Sequence, residues 1–252
     1  MKKTLKVIAV LLIVLGVGLY GFLSYNAEKN LAVALPEALA YMESDEKVSV
    51  SFDNEWLVMQ PANKAPTQGI MFYSGAYCDV RGYSPVLRGM AEAGYLVVGP
   101  QMPFYFSIFA PNAADDVRAA YPEIKDWIVM GHSMGGAMAG RYADIHRDDL
   151  AGVIFLDGHP PEANDMSDSD LPTLHINRAR ADGSISQKFE DKKSLYSTDL
   201  TWVKVPGGIH MNYGAFGEGP YVEEWEASIT PQEQWAITNS ALLTHVPEMF
   251  AK

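Results

Sequence analysis

The segment Gly131-His132-Ser133-Met134-Gly135 has residue types and a spacing that suit nucleophilic catalysis. A strand-forming stretch, Trp127–Met130, precedes it, and a helix-forming stretch follows it. In that context the two glycines let the chain turn sharply, so that the serine hydroxyl projects above a sheet at the start of a helix. We therefore predict that Ser133 is a nucleophile. The alternative is a glycine-rich turn with an inert serine.

A serine nucleophile needs a base to take its proton, and the base needs a carboxylate to orient it. After a turn of this kind the acid and then the histidine follow, each beyond a later strand. His210 follows the predicted strand Trp202–Val205, and Asp182 follows the predicted strand Leu174–Asn177. Asp157 ends the strand before that and is the rival acid. The favoured catalytic set is Ser133, Asp182 and His210.

The negative charge that develops on an attacked carbonyl oxygen requires hydrogen-bond donors. One should be the backbone N–H of Met134, directly after the nucleophile, and the second should come from an earlier strand-to-helix loop. We assign the second to Ala76, with Gly75 supplying conformational freedom. Cys78 lies in the same loop without a sharp turn around it, so we interpret it as a small buried residue.

The remaining histidines are interpreted as structural or solvated, because none combines a strand end with flanking glycines. They are His132, His146, His159, His175 and His245.

Short apolar strands alternate with helices from Lys47 onward, which predicts a mostly parallel sheet covered on both faces. Thr230-Pro231-Gln232-Glu233 has the pattern of a capping box and should open the last helix. Only 17 residues separate Leu156 from Leu174, which leaves no room for a cap domain and predicts an open site.

The motifs together resemble those of the α/β-hydrolase superfamily, and within it the compact serine hydrolases grouped with dienelactone-hydrolase-like proteins. The matching segments lie between Gly69 and the carboxyl terminus: YSGAYCD, GYSPVLRGMAEAGYLVVGPQMPF, PEIKDWIVMGHSMGGAMAGRYA, ADG and VPGGIHMNYGAFG. The resemblance implies an α/β-hydrolase fold, the Ser133, Asp182 and His210 triad, hydrolysis of ester-type bonds, and no metal or organic cofactor.

Two features depart from the family pattern. Gly75-Ala76 stands where two consecutive glycines are common, which matters little because the donor is a backbone N–H. The nucleophile is a serine, whereas true dienelactone hydrolases use a cysteine, so that substrate is not carried over.

The 252 residues carry a net charge of −12, and the charge is unevenly distributed. The first 23 residues hold Lys2, Lys3 and Lys6 and no acid, which leaves −15 for the remainder. Such an acidic body repels phosphate backbones and argues against nucleic-acid binding. The single cysteine excludes an intrachain disulfide.

Val7–Leu23 is an uncharged apolar run behind those lysines, typical of a signal anchor or of a cleaved secretory signal. We favour the anchor, because the run exceeds a usual signal core and Tyr25-Asn26-Ala27 is a poor cleavage site. In either case the positive-inside rule places the acidic body outside the cytoplasm. The expected organisation is an anchor over 1–25, a stalk over 26–46 and a catalytic domain over 47–252.

The sequence thus predicts a membrane-anchored, extracytoplasmic serine hydrolase acting on a small ester-like substrate. An acyltransferase with the same triad and a catalytically silent scaffold that binds a ligand remain alternatives. Met102–Phe109 either lines an acyl pocket or packs in the interior, and Glu218–Glu226 either rims the site or is solvated surface. The oligomeric state is left open.

Overall fold

The computed structural model of the chain describes residues 2–53 and 55–252. Met1, which the sequence analysis counted in the anchor, and Asn54 lie outside the described residues.

An eight-stranded sheet forms the centre of the molecule, in the order β1-β2-β4-β3-β5-β6-β7-β8. The first two strands run antiparallel to their neighbours, and the other six are parallel. This confirms the mostly parallel sheet. The strands are β1 Val48–Phe52, β2 Trp56–Pro61, β3 Gln68–Tyr73, β4 Leu96–Pro100, β5 Asp126–His132, β6 Gly152–Leu156, β7 Thr173–Ala179 and β8 Leu200–Pro206.

Both faces of the sheet are buried, as the side chains of β3 illustrate. Ile70 and Phe72 point into one hydrophobic core, whereas Met71 and Tyr73 point into the other. Successive side chains of a strand alternate between faces, so a strand covered on both sides is continuously apolar. The strands β3 to β7 are accordingly buried along almost their whole length, whereas the edge strand β8 is only partly buried.

Seven α-helices accompany the sheet in the described chain. They are α1 Lys2–Asn30, α2 Pro36–Leu39, α3 Ser84–Ala93, α4 Ala113–Ala120, α5 Met134–Ile145, α6 Gln187–Asp191 and α7 Pro231–Phe250. Residues of α3 and α7 belong to one core, and residues of α4 and α5 belong to the other. The capping box of α7 is confirmed: Thr230 Oγ1 accepts from the Glu233 N–H at 3.2 Å, and the Glu233 carboxylate accepts from the Thr230 N–H at 2.7 Å.

The amino-terminal helix α1 is longer than the anchor predicted over 1–25. Within Thr4–Asn30, the most apolar 18-residue window has a mean hydropathy of 2.6, and none of that window is buried. By length and composition this helix can cross a membrane, although a signal sequence passes the same test.

The stalk expected over 26–46 does not stand apart from the body, because part of this range packs on it. We call residues 31–35, between α1 and α2, the strap. The Ala32 N–H donates to Tyr77 O at 2.8 Å, and the Leu35 N–H donates to Ala215 O at 3.0 Å. Ala32 and, within α2, Ala38 are almost completely buried. The segment docks for two reasons. Its small apolar side chains can be buried, and the backbone oxygens of Tyr77 and Ala215, on either side of the strap, accept its N–H groups.

No cap domain lies between β6 and β7 in the described chain. Residues 157–172 contain one short 3-10 turn, Glu162–Asn164, and otherwise irregular backbone. The carboxyl end of the sheet is therefore uncovered on this side, as the short spacing predicted.

Candidate active site

Ser133 lies at the sharp turn between β5 and α5, with φ 55° and ψ −119°. This left-handed conformation is unusual for a residue with a side chain and is found where the surrounding structure enforces it. The two glycines of the motif are needed for close approach. A Cβ on Gly131 would lie 2.2 Å from Gly135 O, and one on Gly135 would lie 2.1 Å from Tyr73 O.

The structure brings Ser133 and His210 together, with Asp157 behind the imidazole. Ser133 Oγ lies 2.8 Å from His210 Nε2, and His210 Nδ1 lies 2.5 Å from Asp157 Oδ2. An ionised carboxylate only accepts hydrogen bonds, so Nδ1 must carry the proton. Nε2 is then the acceptor and is free to receive the proton of the serine hydroxyl. This is the geometry of a nucleophile, a general base and an orienting acid.

The expected contact between Asp182 and His210 is wrong. Asp182 is exposed at the tip of a turn after β7, where its Oδ1 accepts from the Ser184 N–H at 2.9 Å. Leu156 of β6 pairs with Ile176 of β7. Asp157 is therefore one residue beyond the common level of the two strands, whereas Asp182 is six residues beyond it. Because β7 extends three residues beyond Ile176, to Ala179, the turn that contains Asp182 lies beyond the level of the imidazole.

Asp157 is fully buried and surrounded by donors. In addition to His210, its carboxylate accepts from Asn177 Nδ2 at 2.6 Å, from the Arg178 N–H at 3.2 Å and from Arg178 Nη1 at 2.5 Å. Burial opposes ionisation, but the hydrogen bond and charge interaction with His210 and the charge of Arg178 outweigh it. They hold the pKa of Asp157 well below its usual range. The acid is thus ionised at neutral pH.

A buried chain of hydrogen bonds reaches the backbone oxygen of His210. The Gly75 N–H donates to Tyr83 Oη at 3.0 Å, and Tyr83 Oη lies 2.8 Å from His132 Nδ1. His132 Nε2 lies 3.0 Å from the backbone oxygen of His210, to which it must donate. Burial, followed by the proximity of His210, holds the pKa of His132 well below its usual value, which agrees with a neutral ring of this tautomer. The interpretation of His132 as structural fits this position.

The two expected oxyanion donors both border the nucleophile. Met134 is the first residue of α5, so its N–H has no acceptor within the helix. Among the hydrogen bonds of the described residues, none uses the Ala76 N–H, whereas the neighbouring Tyr77 N–H donates to Tyr105 O. Gly75 was expected to supply conformational freedom, but the residue of this loop with a left-handed backbone is Tyr77, at φ 56°. Gly75 is required because a Cβ there would lie 2.9 Å from both His132 Nδ1 and Tyr83 Oη.

A cleft of about 160 Å³ opens above the nucleophile. Its walls come from the strap, the loop after β3, the nucleophile turn and the segment after β8. The lining residues are Ala32, Gly75, Ala76, Tyr77, Cys78, His132, Ser133, His210, Met211, Pro220 and Tyr221. Met102–Phe109 is not among them, so in the described chain this aromatic segment does not line the cleft.

The acidic stretch Glu218–Glu226 rims the site. The Tyr221 ring stacks on the His210 ring at a centroid distance of 4.2 Å. The Glu223 carboxylate accepts from the His210 N–H at 2.9 Å and from the Met211 N–H at 2.8 Å. This segment therefore positions the loop that carries His210.

Cys78 is buried, and burial raises the pKa of its thiol to about 12, so it remains a neutral thiol at neutral pH. Within residues 2–53 and 55–252, no cluster of three His, Cys, Asp or Glu side chains is arranged to hold a metal ion.

Arg178, Asn177 and Glu223 also belong to the site and were not predicted from the sequence. One signal for the first was available, because arginine inside an otherwise apolar strand is almost never fully buried without a partner. Its partner on the adjacent strand had to be an acid, and Asp157 is the acid at the end of that strand.

A strained serine on a strand-to-helix turn, a histidine within hydrogen-bond distance and a buried carboxylate define the class of serine-nucleophile α/β enzymes. The comparisons with known proteins agree. Residues 69–236 match the Alpha/beta hydrolase family, and the chain belongs to that family.

Two kinds of relatives illustrate the likeness. Chlorophyllase-1 of Citrus unshiu is 29% identical in an alignment 149 positions long, and the match covers 48% of this chain and 44% of the relative. The chain thus spans less than half the length of the curated relative it matches.

Among solved structures, Est1E from Butyrivibrio proteoclasticus superposes with a TM-score of 0.57 at 14% identity, over 82% of this chain and 100% of that chain. A soluble variant of the monoglyceride lipase from Saccharomyces cerevisiae gives a TM-score of 0.57 at 10% identity, over 83% and 96% of the two chains. At these identities the likeness is one of fold.

Proposed function

We propose that this chain is a membrane-anchored serine esterase whose catalytic body lies outside the cytoplasm. The observation that carries the proposal is the continuous contact from Ser133 Oγ through the His210 imidazole to the Asp157 carboxylate, at 2.8 and 2.5 Å. Membership in the Alpha/beta hydrolase family supports it. Asp157 replaces Asp182 as the proposed acid.

In the first half-reaction Ser133 Oγ attacks the ester carbonyl carbon while His210 Nε2 takes the hydroxyl proton. The carbonyl oxygen becomes an oxyanion, to which the Met134 and Ala76 N–H groups would donate. The C–O bond to the alcohol then breaks, and the imidazolium returns the proton to the leaving alcohol. The product is an acyl-enzyme, with the acyl group on Ser133 Oγ.

Water completes the reaction by the same steps. His210 Nε2 takes a proton from water, the resulting hydroxide attacks the acyl carbonyl, and the proton returns to Ser133 Oγ as the acid leaves. Asp157 stabilises the imidazolium in both halves and holds Nδ1–H in place.

The anchored location rests on α1, whose apolar length and flanking lysines fit a span with a cytoplasmic amino terminus. The strap adds a structural argument. Cleavage near Glu28 would detach the span, and cleavage before Leu35 would also remove Ala32, which lines the cleft.

The test uses the full-length chain purified in detergent, with a fluorophosphonate probe and p-nitrophenyl acetate as substrate. We expect the probe to label Ser133 and the ester to be hydrolysed, and we expect Ser133→Ala to lose both. Ser184→Ala, which changes an exposed serine, is the matched control and should keep both. Failure of the folded wild-type protein to react with either reagent at neutral pH would refute the esterase and favour a silent scaffold.

A further inference from the structure

The segment Met102–Phe109, which we call the aromatic segment, takes no part in the triad and does not line the cleft. Phe104 and Tyr105 both adopt left-handed backbone conformations, with φ 53° and 59°. Such a conformation is unfavourable for a residue with a side chain and persists only where its surroundings enforce it. In the same segment Ile108 and Phe109 are each 46% exposed.

The aromatic segment touches the apolar part of α1. The Phe104 ring meets the Tyr20 ring edge to face, at a centroid distance of 5.4 Å. Tyr20 lies inside the apolar run Val7–Leu23 and not in the polar end of the helix. If α1 spans a membrane, the aromatic segment therefore lies at the depth of the lipid interface, where aromatic side chains are favoured.

The same segment is joined to the loop that carries the proposed oxyanion donor. The Tyr77 N–H donates to Tyr105 O at 2.8 Å, and the rings of Tyr77 and Phe106 are 4.4 Å apart. Ser107 Oγ donates to Ser74 O at 2.5 Å. The interface-facing rings are thus held next to the wall of the cleft.

The distance from the span to the cleft is short. From Leu23, the end of the apolar run, α1 continues for seven residues to Asn30, a rise of about 10 Å. Two residues later Ala32 lines the cleft. The helix and the docked strap leave no flexible tether, so the cleft opens near the membrane surface.

The cleft itself suits the reacting end of an uncharged apolar ester. At about 160 Å³ it is smaller than the 300–1,000 Å³ typical of sites that enclose a whole ligand. A long acyl chain would have to extend outside it. The only ionisable groups among the residues that line it are the two imidazoles, the buried thiol of Cys78 and the tyrosine hydroxyls. The body carries a charge of −15, which disfavours anionic lipids.

We propose that the site takes its substrate directly from the bilayer, and that the substrate is a long-chain acyl ester of an electrically neutral lipid. The aromatic segment seats the body in the interface, so that the acyl chain stays in lipid while the ester enters the cleft. This inference rests on the proposed esterase function and adds the class of substrate to it.

The first experiment reconstitutes the full-length protein in phosphatidylcholine nanodiscs that contain dioleoylglycerol. Release of oleate is compared with hydrolysis of water-soluble p-nitrophenyl acetate. The double variant Ile108→Ser/Phe109→Ser should lower oleate release about tenfold, because two apolar side chains no longer seat the body. Its turnover of the soluble ester should stay within about twofold of wild type. Leu243→Ser, an exposed leucine of α7, is the control and should change neither rate.

The outcomes separate the two proposals. If wild type hydrolyses the soluble ester but oleate release is absent, or is equal in wild type and the double variant, the bilayer substrate is refuted and the esterase stands. If wild type hydrolyses neither ester, the esterase itself fails.

A second experiment does not depend on turnover. Cys78 is the only cysteine and is 1% exposed, so an introduced surface cysteine can be labelled selectively. A fluorophore on Phe109→Cys should be quenched by brominated phosphatidylcholine in nanodiscs, whereas the same fluorophore on Leu243→Cys should not. Equal quenching at the two positions would overturn the seating of the aromatic segment.

Discussion

At the residue scale, the carboxylate behind His210 has partners in addition to the imidazole. Arg178 and Asn177 contact Asp157, and Arg178 also contacts Glu224 and lies 4.8 Å from the centre of the Trp225 ring. A fully buried charge is stable only when it is paired and hydrogen-bonded. The arginine therefore lets Asp157 stay ionised away from water, at the cost of making this pair sensitive to substitution.

The first prediction separates the two candidate acids. Asp157→Asn should lower kcat/KM for p-nitrophenyl acetate about 10⁴-fold, since an amide no longer holds the required imidazole tautomer. Asp182→Asn should stay within about twofold, because an exposed turn residue contacts no group of the site.

Folding must be checked in parallel, because removing one partner of a buried ion pair commonly costs about 3–5 kcal/mol. Rates are therefore normalised to folded protein, measured by circular dichroism well below the melting temperature. A loss in Asp182→Asn as large as that in Asp157→Asn would contradict the assignment.

The second prediction concerns His175, which is fully buried among the rings of Phe155, Phe189, Tyr196 and Trp202. In the described chain neither of its ring nitrogens has a hydrogen-bond partner. Burial lowers its pKa from 6.5 to about 3. Between pH 6.5 and about pH 3 the unfolded chain binds a proton at His175 that the folded chain does not bind. The free energy of unfolding therefore falls as the pH drops below about 6.5.

Lowering the pH from about 7 to about 5 should therefore cost the wild type about 2 kcal/mol through His175. In His175→Phe this part of the loss should disappear, while His132, which is also buried and has a lowered pKa, still contributes. Urea denaturation at the two pH values measures the difference. Identical pH dependence in the two proteins would show that His175 is protonated in the folded state or solvated.

At the element scale, the strap is the connection that sequence patterns did not reveal. It lies between the loop after β3 and the loop after β8: Ala32 pairs with Cys78 on one side, and Ala34 pairs with Phe216 on the other. The strap thus holds together the two loops that carry the proposed oxyanion donor and the base.

The third prediction compares two truncations that both lack the apolar run. A chain that begins at Ala27 keeps the strap and should hydrolyse p-nitrophenyl acetate at about the wild-type rate. A chain that begins at Pro36 loses Ala32 from the cleft and exposes backbone groups on both neighbouring loops. We expect its melting temperature to fall and kcat/KM to drop about tenfold or more. Equal activity of the two truncated chains would mean that the strap has no part in the site.

At the scale of the whole molecule, positive charge lies before the apolar run and negative charge after it. The lysines before the apolar run favour a cytoplasmic amino terminus, and the acidic body follows on the other side. The fold adds that the body is not separated from the span by a tether, since α1 continues to Asn30 and the strap docks at once.

The fourth prediction is that the mature protein keeps its amino terminus and stays in the membrane fraction. Mass spectrometry of the purified protein should recover peptides that precede Tyr25. Protease added to intact cells should degrade the body, whereas a tag at the amino terminus should be protected. A mature protein that begins near Glu28 or Leu35 would refute the anchor.

The features that could be predicted correctly from the sequence are local ones. The nucleophile turn, the strand-end histidine, the mostly parallel sheet and the capping box of α7 each depend on residues within a few positions of one another. Their physical causes are short-ranged: close approach at Gly131 and Gly135, alternating apolar runs, and helix capping. Such patterns can be recognised without knowing what lies next to them in space.

The tertiary structure alone decided which acid meets His210 and where residues 26–46 go. Both questions depend on register and on packing between distant segments. The pairing of Leu156 with Ile176 sets how far each strand carries its aspartate, and the strap docks because two loops far apart in sequence offer it hydrogen bonds. Asp157 and Asp182 are chemically identical, and only their positions relative to the imidazole distinguish them.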